Sequence, residues 1–518
     1  MKIIRLQVTN LVVIMTVLLG CVKDKGNYEL HEIPGVNNKG YTIQVNGNPV
    51  PAQDMANLTI NTNDRLQISF NEEIENGIDP AYQWMVYEID PVLKPGAVPD
   101  PAAQIAITKD LDQSFSKGPG KYKLYRKLTN RNNGDAYFAE FMLTVESING
   151  LLVYQADANN RGDYSSVRTT EMNLGLADSK MGVRHQVYTM LNPTHPIQNP
   201  TQLWLRQVGD PSFDNQIFAI SDGGIVQVNY KTHLWQHNNS ATIFAFPLDG
   251  SFAPQGHMNG SNKLEYLVQN EQLFNINYLD GGAAPKFVQL SETGTAYSPY
   301  MMTIPTDKQT FRTFSNVVFN KTFQRFEYDN LGFLSSFFYA PGNLGQSDVD
   351  ISATQMNLIY MDKGRDYYID AIMEQSTGKI NYVRFDITNP NAATCTHNID
   401  LSTLSNQVTK HSLWAISERG PIAFSAIGNK VYVLNYEQET LQLSIADVPA
   451  SATVSVIKIL KDKLNPAYDN AILYIAYNQG NQGTLLQYEF NPLSGQLKTN
   501  TKKTFDGFGK ILDLKLKK

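Results

Sequence analysis

The side chains best able to grip a ligand are aromatic and fall in three clusters. They are Trp235 just after His233, Tyr297-Ser298-Pro299-Tyr300, and Phe337-Phe338-Tyr339 beside Pro341-Gly342. Exposed rings stack on sugar faces or hold peptide side chains. Trp235, Tyr297, Tyr300, Phe337, Phe338 and Tyr339 are therefore the expected ligand- or partner-binding residues. The competing role for each is packing inside the scaffold.

Metal and nucleophile chemistry leave no comparable trace. The eight histidines are dispersed, no H-E-x-x-H occurs, and there are only two cysteines, so the spacing of a zinc site is missing. There is no G-x-S-x-G elbow and no glycine-rich phosphate loop. Asp157-Ala-Asn-Asn-Arg161-Gly162-Asp163 has a glycine at the sixth position of a calcium loop. However, Arg161 takes a ligand position and Arg168 stands where a bidentate glutamate belongs, so a hairpin turn is expected instead. Ser221-Asp-Gly-Gly224 lacks the downstream aromatic spacing of an aspartate box. Acids from distant segments could meet as a glycosidase pair, but 49 acidic residues give that idea no discriminating power. No metal and no cofactor are expected. The net charge of −6, with scattered Lys and Arg, disfavours nucleic acid, which needs a basic face.

The elements that must position the rings are strands. A chain of 518 residues exceeds one ordinary core, and its wealth of Tyr, Phe, Gly and turn residues favours an all-β protein. From residue 150 onward, pairs of β-type runs flank turn dipeptides at a nearly constant interval. One position in the first arm of each hairpin marks the series: Leu152, Ile217, Tyr266, Val318, Ile369, Ala423 and Ile472. The steps are 65, 49, 52, 51, 54 and 49 residues, close to the roughly 50-residue repeat of kelch-type propellers. Turns are expected at Asp222-Gly-Gly224, Asn270-Glu271, Asn320-Lys321, Ser376-Thr-Gly378, Gly428-Asn429 and Asn478-Gln-Gly480.

Inner strands precede the last three hairpins at Met356–Tyr360, Leu413–Ile416 and Val454–Leu460. The terminal run Gly509-Lys-Ile-Leu-Asp-Leu-Lys-Leu516 resembles Val454–Leu460, yet no hairpin follows it. It is expected to complete the first unit and close the ring, which removes an open sheet edge. Residues 149–518 are thus expected to form a seven-bladed β-propeller closed by the C-terminal strand, with function in the loops between hairpins.

Residues 38–148 lack this repeat. Period-two alternation at Tyr41–Val45, Leu66–Phe70, Tyr82–Tyr87, Lys121–Tyr125 and Phe138–Val145 predicts half-buried strands of a small sandwich. Trp84 falls mid-strand, where immunoglobulin-like folds keep a core tryptophan. Gly118-Pro-Gly-Lys-Tyr122 resembles the start of a late strand in PKD-type sandwiches, with Tyr122 as a corner tyrosine. The proline-rich segment Asp90–Pro101 is expected to be a loop or linker.

The first 20 residues read as an export signal. Lys2 and Arg5 precede the apolar run Leu11–Leu19, which is too short to span a bilayer comfortably. Leu18-Leu19-Gly20-Cys21 looks like the lipobox of bacterial lipoproteins, in which cleavage precedes a lipidated cysteine. Cys21 is the expected lipidation site, residues 21–37 a lipidated tether, and Cys395 a single buried thiol. Val22 is not the aspartate that resembles an inner-membrane retention signal, and Lys23-Asp24 partly matches the tether of surface-exposed lipoproteins.

Cys21 followed by Lys25-Gly-Asn-Tyr28, His31 and Glu32, then the sandwich with Trp84 and Gly150-Leu-Leu-Val-Tyr-Gln155, resembles the PKD-like lipoproteins of Bacteroidetes. The resemblance implies a lipid-anchored outer-membrane protein facing the cell exterior, often encoded with TonB-dependent SusC/SusD-type transporters. The expected function is a non-enzymatic accessory subunit that binds a glycan or oligopeptide nutrient or docks on the transporter. Two alternatives remain: a propeller-based surface glycosidase or lyase, and a purely structural subunit of the transporter complex.

Overall fold

The computed structural model describes residues 35–518 except 63, 90–102, 116, 173–180, 208–214, 223, 249, 261–263, 279–285, 293, 304–313, 331–332, 343, 366–367 and 445. The export signal, Cys21, most of the tether and the proline-rich segment lie outside the described residues. The chain parts into two compact units, Met1–Ser147 and Ile148–Lys518.

The first unit is built from two sheets. Asn48–Pro49, Val36–Val45, Arg65–Ile74 and Leu111–Ser114 form one, in that order. Asn57–Asn61, Ala136–Glu146, Gly120–Asn130, Pro80–Ile89 and Ala103–Ala106 form the other. All pairings are antiparallel except that of Asn57–Asn61 with Met142–Glu146. Alternate residues point inward, as the period-two pattern requires. Leu66, Ile68 and Phe70 of one sheet thereby meet Trp84, Leu124, Phe141 and Leu143 of the other in one apolar core. The Trp84 ring is stacked with Phe141 at 6.2 Å, and its indole N–H donates to the Thr108 carbonyl at 3.0 Å. The Tyr122 hydroxyl donates to the Gly118 carbonyl at 2.7 Å and pins the corner where that strand begins.

The second unit is propeller-like and all-β apart from short helical turns. Its described residues form seven antiparallel sheets. The central hairpins of these sheets hold Leu152, Ile217, Tyr266, Val318, Ile369, Ala423 and Ile472. Six sheets are four-stranded meanders spanning 200–237, 254–289, 297–336, 356–400, 413–443 and 453–508. The first differs. Gly150–Ala156 pairs on one side with Arg161–Arg168 and on the other with the terminal strand Lys510–Lys517, which runs antiparallel to it.

Turn chemistry sets these hairpins locally. Gly428 has φ 59°, a conformation that glycine alone adopts without strain, and Gly428-Asn429 is the two-residue turn between Ile427 and Lys430. Three turns depart from the sequence expectation. In the second sheet Gly224 is already paired with Ser221. In the seventh sheet the turn is Gly480-Asn481, between the paired Gln479 and Gln482, because the glycine must take the first central position. In the fourth sheet the loop is longer, running over 321–324 between the paired Asn320 and Arg325. There the Asn320 side chain accepts from the Phe323 amide at 3.2 Å. Asp157 makes an Asx turn, accepting from the amides of Asn159 and Arg161 at 2.8 Å each. That use of its carboxylate agrees with a hairpin turn at this segment.

Apolar clusters lie between neighbouring sheets and consist largely of residues from central strands. Phe326 and Phe385 join the fourth and fifth sheets, while Phe424 and Phe490 join the sixth and seventh. Cys395 is buried in the first of these clusters, and burial pushes its thiol up to about 11. It behaves as a small apolar residue rather than a reactive thiol.

Candidate functional site

Each sheet of the second unit contributes one inner strand to a ring. In order these are Lys510–Lys517, Pro200–Arg206, Pro254–Asn259, Tyr297–Thr303, Met356–Lys363, Leu413–Ile416 and Thr453–Ile459. Specific contacts link them. The Leu203 amide donates to Asp513 at 3.2 Å, and the Asn259 side chain donates to the Leu205 carbonyl at 2.6 Å. At Gly256 a Cβ would lie 2.1 Å from the Pro299 carbonyl oxygen, so only glycine permits that approach. The Tyr300 and Tyr360 rings meet edge to face at 5.1 Å. Glu418, just after the sixth inner strand, reaches Lys363 of the fifth at 3.1 Å and Lys461 beyond the seventh at 3.3 Å. Lys458 then donates to the Leu514 carbonyl at 2.8 Å and returns the ring to its first strand.

On this ring charges gather that the sequence scatters. Lys461 lies 2.7 Å from Asp362 as well as near Glu418. The Tyr360 hydroxyl donates to the other Asp362 oxygen at 3.1 Å. Lys515 lies 3.4 Å from Asp513. These side chains are partly exposed, Glu418 19%, Lys461 27% and Lys515 31%, although the Lys461 ammonium itself is buried. Burial works to raise the Glu418 carboxyl, but Lys461 and Lys363 outweigh it and hold the group below the ordinary carboxylate range. Burial, with the neighbouring Lys515, pushes the Lys458 ammonium down to about 8. The Lys515 charge also acts on His257 of the third sheet. Groups on the first, third, fifth and seventh sheets thus share one electrostatic environment.

A second polar cluster is dry. The Glu265 carboxylate accepts from Arg206 Nε and His257 Nε2, each at 2.7 Å, and from the Tyr278 hydroxyl. Trp204 is stacked with His257 at 5.1 Å. Burial alone would raise Glu265, yet Arg206 and His257 hold it down to about 2. The imidazole of His257 is lowered by burial in spite of Glu265. No side chain in the Arg206–Glu265–His257 core is more than 7% exposed, so this cluster clamps the second sheet to the third.

The six aromatic candidates do not converge. Tyr297 is buried, donating its hydroxyl to Glu327 at 2.9 Å, and Phe337 is buried against Tyr328. Both are corrections to the expected exposed platform, because neighbouring strands bury these rings. Trp235 is half-buried on the outer strand of the second sheet, stacked on His195 at 3.9 Å. Tyr339 bonds Asp348 at 3.2 Å near the outer edge of the fourth sheet, where Phe338 is 64% exposed. Tyr297 and Tyr300 share the inner strand Tyr297–Thr303, and of the two Tyr300 is exposed, at 38%. The residues missed from sequence are Asp362, Lys363, Glu418, Lys458, Lys461, Asp513 and Lys515. Their signal was present: Ile457-Lys458-Ile459 and Leu514-Lys515-Leu516 each place a lysine inside an apolar strand.

No known protein family and no curated protein matches the chain. Among solved structures, the Nup133 β-propeller domain of Vanderwaltozyma polyspora is similar at 11% identity and a TM-score of 0.32. That alignment covers 61% of this chain and 90% of the other. A protein of unknown function from Bacteroides caccae is similar at 12% identity and a TM-score of 0.30, covering 61% of this chain and 98% of the other. Likenesses at these scores carry no functional argument, so the reading below rests on the chain's own residues.

Proposed function

We propose that the first unit is an immunoglobulin- or PKD-like sandwich and that the second is a seven-bladed propeller closed by the C-terminal strand. Together they form a non-enzymatic lipoprotein, anchored through Cys21 in the outer membrane and facing the cell exterior. Its role is accessory, binding a glycan or oligopeptide nutrient for a TonB-dependent SusC/SusD-type uptake system, or docking on that system. The observation that carries the binding role is the partly wet cluster of charges from the fifth, sixth, seventh and first sheets on the ring of inner strands. A closed β scaffold holds such groups in place at little entropic cost on binding. The export signal, the lipobox-like Cys21 and the resemblance to PKD-like lipoproteins support the location.

One observation favours a surface glycosidase: Asp362 and Glu418 come from different sheets and both reach Lys461. A glycosidase acid must keep its proton near neutral pH. Glu418 is held in the opposite sense, which supports binding over hydrolysis. The test is purification of the native protein from outer membranes. Co-purification with transporter subunits, and release of a Cys21→Ala variant into the soluble fraction, are expected. A protein that stays in the membrane without Cys21, or that hydrolyses glycans until Glu418→Gln abolishes turnover, contradicts the proposal.

A further inference from the structure

The charges on the ring are not evenly matched. Among the described residues of this cluster, Lys363, Lys458, Lys461 and Lys515 supply four ammonium groups, against the carboxylates of Asp362, Glu418 and Asp513. Lys461 and Lys363 engage Asp362 and Glu418 at 2.7–3.3 Å. Asp513 has little left for the remaining two lysines. One of its oxygens accepts from its neighbour's amide, Leu514 N, at 2.8 Å, and the other from Leu203 N at 3.2 Å. Lys515 consequently sits 3.4 Å from Asp513, and the Lys458 ammonium is bonded to a backbone carbonyl. The two lysines occupy matching places in adjacent inner strands, each between two aliphatic residues.

Two like charges on contacting inner strands, near enough for Lys515 to lower the Lys458 ammonium, raise the free energy of the empty site. An anion that accepts from both relieves their repulsion and makes charge-assisted hydrogen bonds. Extending the binding role proposed above, we propose that Lys458 and Lys515 form a carboxylate-binding pair, which takes the free carboxylate of an oligopeptide or of a sugar acid.

The test is calorimetric titration of the full-length protein at low salt with four probes. They are trialanine, trialanine amide, trigalacturonic acid and the neutral maltotriose. Saturable binding is expected for trialanine or trigalacturonate, and which of the two binds identifies the source of the carboxylate. Its uncharged counterpart should bind about tenfold more weakly or worse. Lys515→Gln should weaken the bound acid by a similar factor, while Lys515→Arg retains most of the affinity and the circular dichroism of both variants stays unchanged. Equal binding of acid and amide, undiminished binding by Lys515→Gln, or no saturable binding of either acid at millimolar concentration overturns the proposal. Co-purification with transporter subunits is read separately, so failure of the carboxylate pair is distinguishable from failure of the accessory role.

Discussion

The two units use the same interaction, a lysine or arginine against a carboxylate, for different ends. In the first unit Arg126 and Glu72 are both fully buried, joined by two bonds of 2.6 and 2.7 Å. The guanidinium also donates to the Lys109 carbonyl at 2.9 Å and lies over the rings of Phe70 and Tyr82 at 4.2 and 4.7 Å. One cation meets one anion, with further donors satisfied and both side chains fully buried. On the ring of the second unit, among the described residues, three lysines meet three carboxylates at 2.7–3.4 Å in a partly exposed cluster, and a fourth, Lys458, bonds a backbone carbonyl instead. A dry, balanced pair fixes a core. A wet, unbalanced group leaves capacity for a ligand. Burial and stoichiometry separate the two roles more surely than residue type does.

The largest effect is expected where the pair is dry. Glu72→Gln leaves the Arg126 guanidinium buried without its counter-charge and should cost about 3–5 kcal/mol. Hydrogen exchange in Gly120–Asn130 would register that loss as faster opening of the first unit, while exchange in the propeller-like unit stays unchanged. Protection undiminished in Gly120–Asn130 would remove the distinction drawn between the regions.

A smaller effect follows from pH. Burial holds the ammonium groups of Lys458 and Lys517 down to about 8 and about 7, against an ordinary value of 10.5. Above those values the unfolded chain binds more protons than the folded one, so stability should rise with pH. The window runs from about pH 7.5 to 8.5, below the pH at which the unfolded Cys395 thiol ionises and begins to act oppositely. A gain on the order of 2 kcal/mol is expected in urea unfolding of the second unit, and a flat or falling profile would refute the burial of these amines. The smallest effect belongs to the wet cluster. Glu418→Gln should change the unfolding free energy by no more than about 1 kcal/mol, because solvent screens its partners.

Much of this fold was readable before any coordinates. The central hairpins depend on local turn chemistry and period-two burial, so Gly428-Asn429 and the alternation of Leu66, Ile68 and Phe70 announce themselves. The likeness of Gly509–Leu516 to Val454–Leu460 likewise marked the strand that pairs with Gly150–Ala156. The site was readable only in part: a lysine between aliphatic residues marked Lys458 and Lys515, but nothing local joined the charges to their partners. Glu418 and Lys461 are 43 residues apart in sequence, and their encounter depends on how successive sheets rotate about the ring. Tyr297 and Phe337 misled for the same reason: an aromatic residue looks alike in sequence whether it faces solvent or a neighbouring sheet. Arg126 sits in a strand of alternating apolar residues, and nothing local shows that Glu72 waits across the core.

The measurement that bears most directly on this division of labour sets two variants side by side, Glu72→Gln and Lys515→Gln, each followed for unfolding midpoint and for affinity toward the bound acid. Glu72→Gln should lower the midpoint and leave affinity intact, whereas Lys515→Gln should weaken affinity about tenfold at an unchanged midpoint. If Lys515→Gln instead destabilises the protein and binds the acid as tightly as before, the ring charges are scaffold and the account fails.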